Sequence, residues 1–186
     1  ECFACASDIL TDASGEWAST AAYFYFDLGC FSKALPYDLK SLDIQKKYAP
    51  DDILTHAAYC HNVGMTYSNL GSHHTALTYL LEALDIHREH LPPEDEDLIQ
   101  SYNNIGLVYG GLGNYPAALE FQLAALEKLK RRELPEDHPN FAPIYNYLGS
   151  TYDCLGDYNT ALHYHKLALE IRNKEALTDH PRLAQP

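Results

Sequence analysis

The stretch SYNNIGLVYGGLGNYPAALEFQLAALEKL, residues 101–129, decides the fold. Most of it has the apolar spacing of helix, yet Gly106, Gly110 and Gly111 fall close together inside it. Glycine in a helix interior costs about 1 kcal/mol relative to alanine, so three of them need a reason. Either they mark a catalytic or phosphate-binding loop, or the backbone packs too closely there for a side chain. The rest of the chain chooses between the two.

The stretch recurs. YCHNVGMTYSNLGSHHTALTYLLEALDI begins at Tyr59, YNYLGSTYDCLGDYNTALHYHKLALEI at Tyr145, and a looser copy, TAAYFYFDLGCFSKALPYDLKSLDI, at Thr20. A small residue repeats at Ala22, Gly64, Gly106 and Gly149, at intervals of 42, 42 and 43. The tyrosine three residues later repeats at Tyr25, Tyr67, Tyr109 and Tyr152, and a glycine at Gly29, Gly71, Gly113 and Gly156. Next come Ala34, Ala76, Ala118 and Ala161, each followed three residues on by Tyr37, Tyr79, Phe121 or Tyr164. A fixed period of this length is the mark of a repeat array.

Each copy reads as two amphipathic helices. Tyr102, Ile105, Tyr109 and Leu112 form one apolar stripe, and Ala118, Phe121 and Ala125 form another. Gly113 suits the end of the first helix, and Pro116 an early turn of the second. YAPDD, LPPEDED, LPEDHPN and LTDHPRL connect the copies, led by Tyr48, Leu91, Leu134 and Leu177 at steps of 43. Proline stops the preceding helix, and acidic residues suit the next helix start. The chain thus divides into a non-repeat segment 1–14, repeats over 15–47, 48–90, 91–133 and 134–176, and a further helix start or tail at 177–186.

Gly106, Tyr109, Ala118, Phe121, Ala125 and their counterparts resemble the pattern of the tetratricopeptide repeat family across most of the chain. The long period and the LPEDHP connector are similar to kinesin light chain-type arrays, although Ala22 and Ser41 depart from the pattern in the first copy. The resemblance implies an all-α fold, a right-handed α-α superhelix of about four helix pairs. The helix glycines then answer to close packing. No Lys-Ser/Thr follows GLVYGGLG, so it is no phosphate loop.

The net charge of −13 argues against nucleic acid, and no apolar run approaches the ~18 residues of a membrane span. Among five cysteines, Cys2 and Cys5 form a C-x-x-C without a second pair; a Cys2–Cys5 or Cys5–Cys30 disulfide would require export. Cys60 and Cys154 are expected to be buried or half-buried. Of the histidines, His73 and His74 fall in a turn, His163 and His165 point to different sides of a helix, and His87 and His90 lack a third ligand. His138 and His180 belong to connectors, and no catalytic motif is present. The expectation is therefore no enzyme, no cofactor and no metal, with a cytoplasmic location by default, or an extracellular one if a leader has been removed.

Arrays of this kind bind extended chains on the concave side lined by their first helices. The rung one residue past the Tyr102 position reads Ser19, His61, Asn103 and Asn146. One turn on, it reads Tyr23, Met65, Leu107 and Ser150, then Phe26, Ser68, Gly110 and Asp153. Asparagine amides offer a donor and an acceptor together, which suits a peptide backbone; the family resemblance implies that role for Asn103 and Asn146. Asn62 and Asn104, one position further round, can instead bond between repeats, and both roles stay open. The rungs hold no Lys or Arg. The expected partner is an extended peptide or protein segment, neutral or basic, with apolar residues. The alternatives are end-to-end self-association into a filament, or a regulatory repeat domain within a larger enzyme. Neither nucleic acid nor membrane insertion is expected.

Overall fold

A computed structural model describes residues 15–179, which form eight α-helices and no strand. Four of them belong to a first compact unit, residues 1–90: α1 (Glu16–Asp27), α2 (Phe31–Tyr48), α3 (Ile53–Asn69) and α4 (His73–His90). The second unit, residues 91–186, holds α5 (Glu96–Gly111), α6 (Tyr115–Lys130), α7 (Phe141–Cys154) and α8 (Tyr158–Asp179). Each successive pair is one copy of the repeat. Cys2 and Cys5 of the C-x-x-C lie outside the described residues, as do positions 180–186.

The repeating aromatic positions meet within each pair. Tyr25 stacks on Tyr37, Tyr67 on Tyr79, Tyr109 on Phe121 and Tyr152 on Tyr164, with ring centroids 5.5–5.9 Å apart. One residue type at one spacing therefore builds the same contact four times. The helix glycine explains how the pair closes. A Cβ on Gly106 would stand 2.7 Å from Gln122 Cγ and 3.0 Å from the Ala118 carbonyl oxygen of α6. The turn glycines serve a different need: Gly113 has φ +74°, a left-handed conformation that side chains resist. It lets the Asn114 N–H reach back to the Tyr109 carbonyl at 2.9 Å before Asn114 caps α6.

Connector acids cap the helices that follow. Asp52 accepts from the Thr55 N–H and hydroxyl, and Asp95 from the Asp97 N–H. α8 runs through position 177 to Asp179. Proline follows Tyr48, Leu91 and Leu134 within two residues, but after Leu177 it comes only at Pro181, so the helix meets no obstacle earlier. His73 and His74 open α4 instead of lying in the turn before it; the Ala76 N–H already bonds the Ser72 carbonyl.

Each unit has its own core. In the first, Leu42, Ala57, Cys60, Val63 and Ala83 are buried between α2, α3 and α4. In the second, Ile99, Leu126, Leu129, Phe141, Ile144 and Leu148 close against Ala168 and Ile171. A buried polar pair ties successive repeats inside each unit. The Thr66 hydroxyl donates to Asp38 at 2.6 Å, and the Thr151 hydroxyl donates to the Gln122 side-chain oxygen at 2.8 Å. Cys30, Cys60 and Cys154 carry free thiols. Cys60 is buried as expected, whereas Cys154 is exposed because α7 ends on it and the chain turns away. No helix among the described residues is long and apolar enough to cross a membrane.

Candidate functional site

The second unit contains a cleft of about 210 Å³ between α5 and α7, floored by Leu129 of α6. Ile99 and Ile144 give it an apolar base, while Gln100, Asn103, Asn104 and Tyr147 supply polar walls. The α6–α7 connection brings in Arg132 and Asn140, which close one end by binding Glu96. Arg132 donates to Glu96 at 3.3 Å and Asn140 at 3.2 Å. The rungs read from the sequence hold no cation, and Arg132 reaches the cleft from outside them. Its charge is already matched by Glu96, so the cleft is not a basic clamp.

Asn103 is the distinctive residue. It lines the cleft yet is only 7% exposed, and its Oδ1 finds no hydrogen-bond partner among the described residues. The sequence pattern places Asn103 on an open wall; in fact it is more deeply buried than the half-buried Tyr102 beside it, because α7 packs across this face of α5.

The other expected groove residues are placed as follows. In the second unit Asn146 and Leu107 are half-buried and Ser150 is exposed, its hydroxyl bonded to the Asn146 carbonyl at 3.0 Å. None of these three lines the cleft, whereas Asn104 does. In the first unit Ser19, Phe26, His61 and Met65 are half-buried, and Tyr23 is 71% exposed. Phe26 packs edge-on against Phe31. Burial, with His87 nearby, lowers the His61 imidazole to about 4, so at neutral pH it offers a neutral ring.

A second polar group escapes the sequence reading, whose histidines do not include His56. His56 Nδ1 lies 2.9 Å from Gln45 Oε1, and its Nε2 lies 2.8 Å from Glu82 Oε1 and 3.5 Å from Cys60 Sγ. Burial pushes the Cys60 thiol up to about 12, and the Glu82 carboxylate acts in the same direction. A thiol of that kind is a poor nucleophile. The H-x-x-x-C spacing on one helix face was the available signal; Glu82, on another helix, gave none.

The geometry agrees with the comparisons. A profile described as tetratricopeptide repeat matches residues 14–89, 54–131 and 97–174. No curated protein matches the chain in sequence. Among solved structures, BtubC (BKLC) from P. vanneervenii is similar at a TM-score of 0.75 and 20% identity, over 91% of this chain and 69% of that one. A kinesin light chain-like array of nearly identical TPR-like repeats from Podosopora anserina is similar at 0.70 and 18%, over 92% and 82%. The Rap conjugation gene regulator of plasmid pLS20, solved in complex with the Phr* peptide, is similar at 0.72 and 20%. That match covers 90% of this chain but only 44% of the regulator. At these identities the likeness is one of fold.

Proposed function

The chain belongs to the tetratricopeptide repeat family, and we propose that it is a non-catalytic scaffold whose first helices hold an extended segment of a partner protein. The observation that carries this reading is the unpaired Oδ1 of Asn103 in the α5–α7 cleft. A partner's backbone N–H can donate to that acceptor, which makes no bond within the protein. The cleft, at about 210 Å³, is smaller than the roughly 300–1,000 Å³ of small-molecule and cofactor sites. Its size suits one anchoring side chain of a longer ligand, the apolar end resting on Ile99 and Ile144. The excess of acidic residues favours a neutral or basic segment. The peptide complex of the similar Rap regulator supports the choice of a peptide as ligand.

A panel of neutral and basic peptides, screened by fluorescence polarisation against the purified chain, tests this. A binder should lose about tenfold in affinity with Asn103→Ala, the equivalent of one hydrogen bond at about 1.4 kcal/mol. The same substitution should leave urea stability within about 1 kcal/mol, because Asn103 Oδ1 makes no internal bond. A drop in stability without a change in binding would make Asn103 structural and sink the proposal.

A further inference from the structure

Three side chains that the peptide reading does not use converge between α3 and α4. His56 and Cys60 stand one turn apart on α3, and Glu82 faces them from α4; one ligand atom from each lies within 4.8 Å of the other two. Tetrahedral zinc, with Zn–N of about 2.0–2.1 Å and Zn–S of about 2.3 Å, sets its nitrogen and sulfur ligands roughly 3.5 Å apart. His56 Nε2 and Cys60 Sγ are already 3.5 Å apart.

The imidazole is also oriented for the task. Gln45 Nε2 donates to the carbonyls of Ala49 and Asp52 at 2.8 and 3.0 Å, which turns its Oε1 toward His56 Nδ1. Facing an acceptor, Nδ1 must carry its hydrogen. In the neutral ring Nε2 then presents a lone pair to the Glu82 carboxylate 2.8 Å away. Two acceptors that close need a cation between them, either a proton or a metal ion. A carbonyl behind a histidine ligand is the usual way proteins fix a metal-binding tautomer.

The trio is not required by the repeat. Forty-two residues on, the matching positions are Leu98, Tyr102 and Ala124, so the fold forms with non-ligating side chains there. Burial is graded: Cys60 is fully buried, His56 nearly so, and Glu82 is exposed, leaving an approach from solvent.

We propose that His56 Nε2, Cys60 Sγ and a Glu82 carboxylate oxygen bind one zinc(II) ion, with Gln45 holding the imidazole and water in the fourth position. Mixed N, S and O donors suit borderline zinc; a carboxylate is a poor ligand for copper(I), and a thiolate for magnesium or calcium. Binding releases the thiol proton of Cys60 and any proton held between His56 and Glu82 to solvent. The ion then pins α3 to α4 within the first unit.

Cobalt(II) chloride titrated into the reduced, metal-stripped chain is the direct probe. One cobalt per chain should bind with a near-ultraviolet thiolate-to-metal charge-transfer band, and zinc should abolish the band by displacement. The band should survive when Cys2, Cys5, Cys30 and Cys154 are all changed to serine, and vanish with Cys60→Ala. Glu82→Gln, an exposed change that leaves the fold intact, should weaken zinc binding at least tenfold. If Cys60→Ala fails to fold by circular dichroism, the four-serine chain and Glu82→Gln decide alone. No thiolate band in the four-serine chain, or unchanged zinc affinity in Glu82→Gln, would overturn the proposal and leave a purely hydrogen-bonded trio.

Discussion

A methyl group added at Gly106 and one added at Gly110 meet opposite surroundings, although the two share a helix. Both gain about 1 kcal/mol of helix propensity as alanine. At Gly106 the methyl lands 2.7 Å from Gln122 Cγ and 3.0 Å from a backbone oxygen, whereas at Gly110 nothing lies within 4 Å. Overpacking costs about 1–3 kcal/mol and outweighs the propensity gain. Gly106→Ala should therefore destabilise by up to about 2 kcal/mol, while Gly110→Ala stabilises by up to about 1 kcal/mol, both read from urea midpoints. His61 gives a second residue-scale test. Its imidazole titrates near 6.5 in an unfolded chain and at about 4 here. Above the first value both states are neutral and the residue has no effect. As pH falls from there toward 4, the unfolded chain takes up a proton that the folded one refuses, so stability declines through that window. At about 1.4 kcal/mol per unit of difference, the loss reaches about 2.5 kcal/mol by about pH 4.5. His61→Gln should flatten this part of the pH profile, and an unchanged profile would show that other groups control it.

At the scale of helices, one buried polar pair joins successive repeats inside each unit. Asp38 and Thr66 are bonded in the first unit, and Gln122 and Thr151 in the second. Burial raises the Asp38 carboxyl above its ordinary value, only partly offset by the Thr66 hydroxyl. Thr66→Val removes that hydroxyl and leaves a buried carboxylate without its partner, which should cost about 1–3 kcal/mol. Adding Asp38→Leu, which also takes away the buried carboxyl, should restore most of the loss, and a double-mutant cycle measures the coupling. The helix pairs themselves were legible in the sequence because four copies repeat one stack, one close-packed small residue and one turn glycine. The depth of Asn103 was not, since the helix covering it, α7, comes from the following repeat and leaves no trace in the periodicity of α5. The zinc-competent trio was half legible for the same reason: His56 and Cys60 share a helix face, and only folding adds Glu82.

Across the whole molecule, the excess of 13 negative charges and the Asn103 amide oxygen act over different ranges, and salt separates them. Fields between exposed charges extend about 10 Å at 0.1 M salt and about 3 Å at 1 M. The Asn103 hydrogen bond acts at contact, inside a cleft whose single ion pair is internal. A basic peptide should therefore associate faster at low salt and lose affinity as salt rises, mostly through its on-rate. A neutral peptide with the same apolar anchor should change little. Asn103→Ala should weaken both by the same factor at every salt concentration, acting through the off-rate. Stopped-flow association of the matched peptides, at about 0.03 M and about 0.3 M salt, checks the division. A salt dependence that disappears with Asn103→Ala would mean that the amide and the surface charge act as one site. Equal salt dependence for both peptides would remove the molecule's acidity from partner selection.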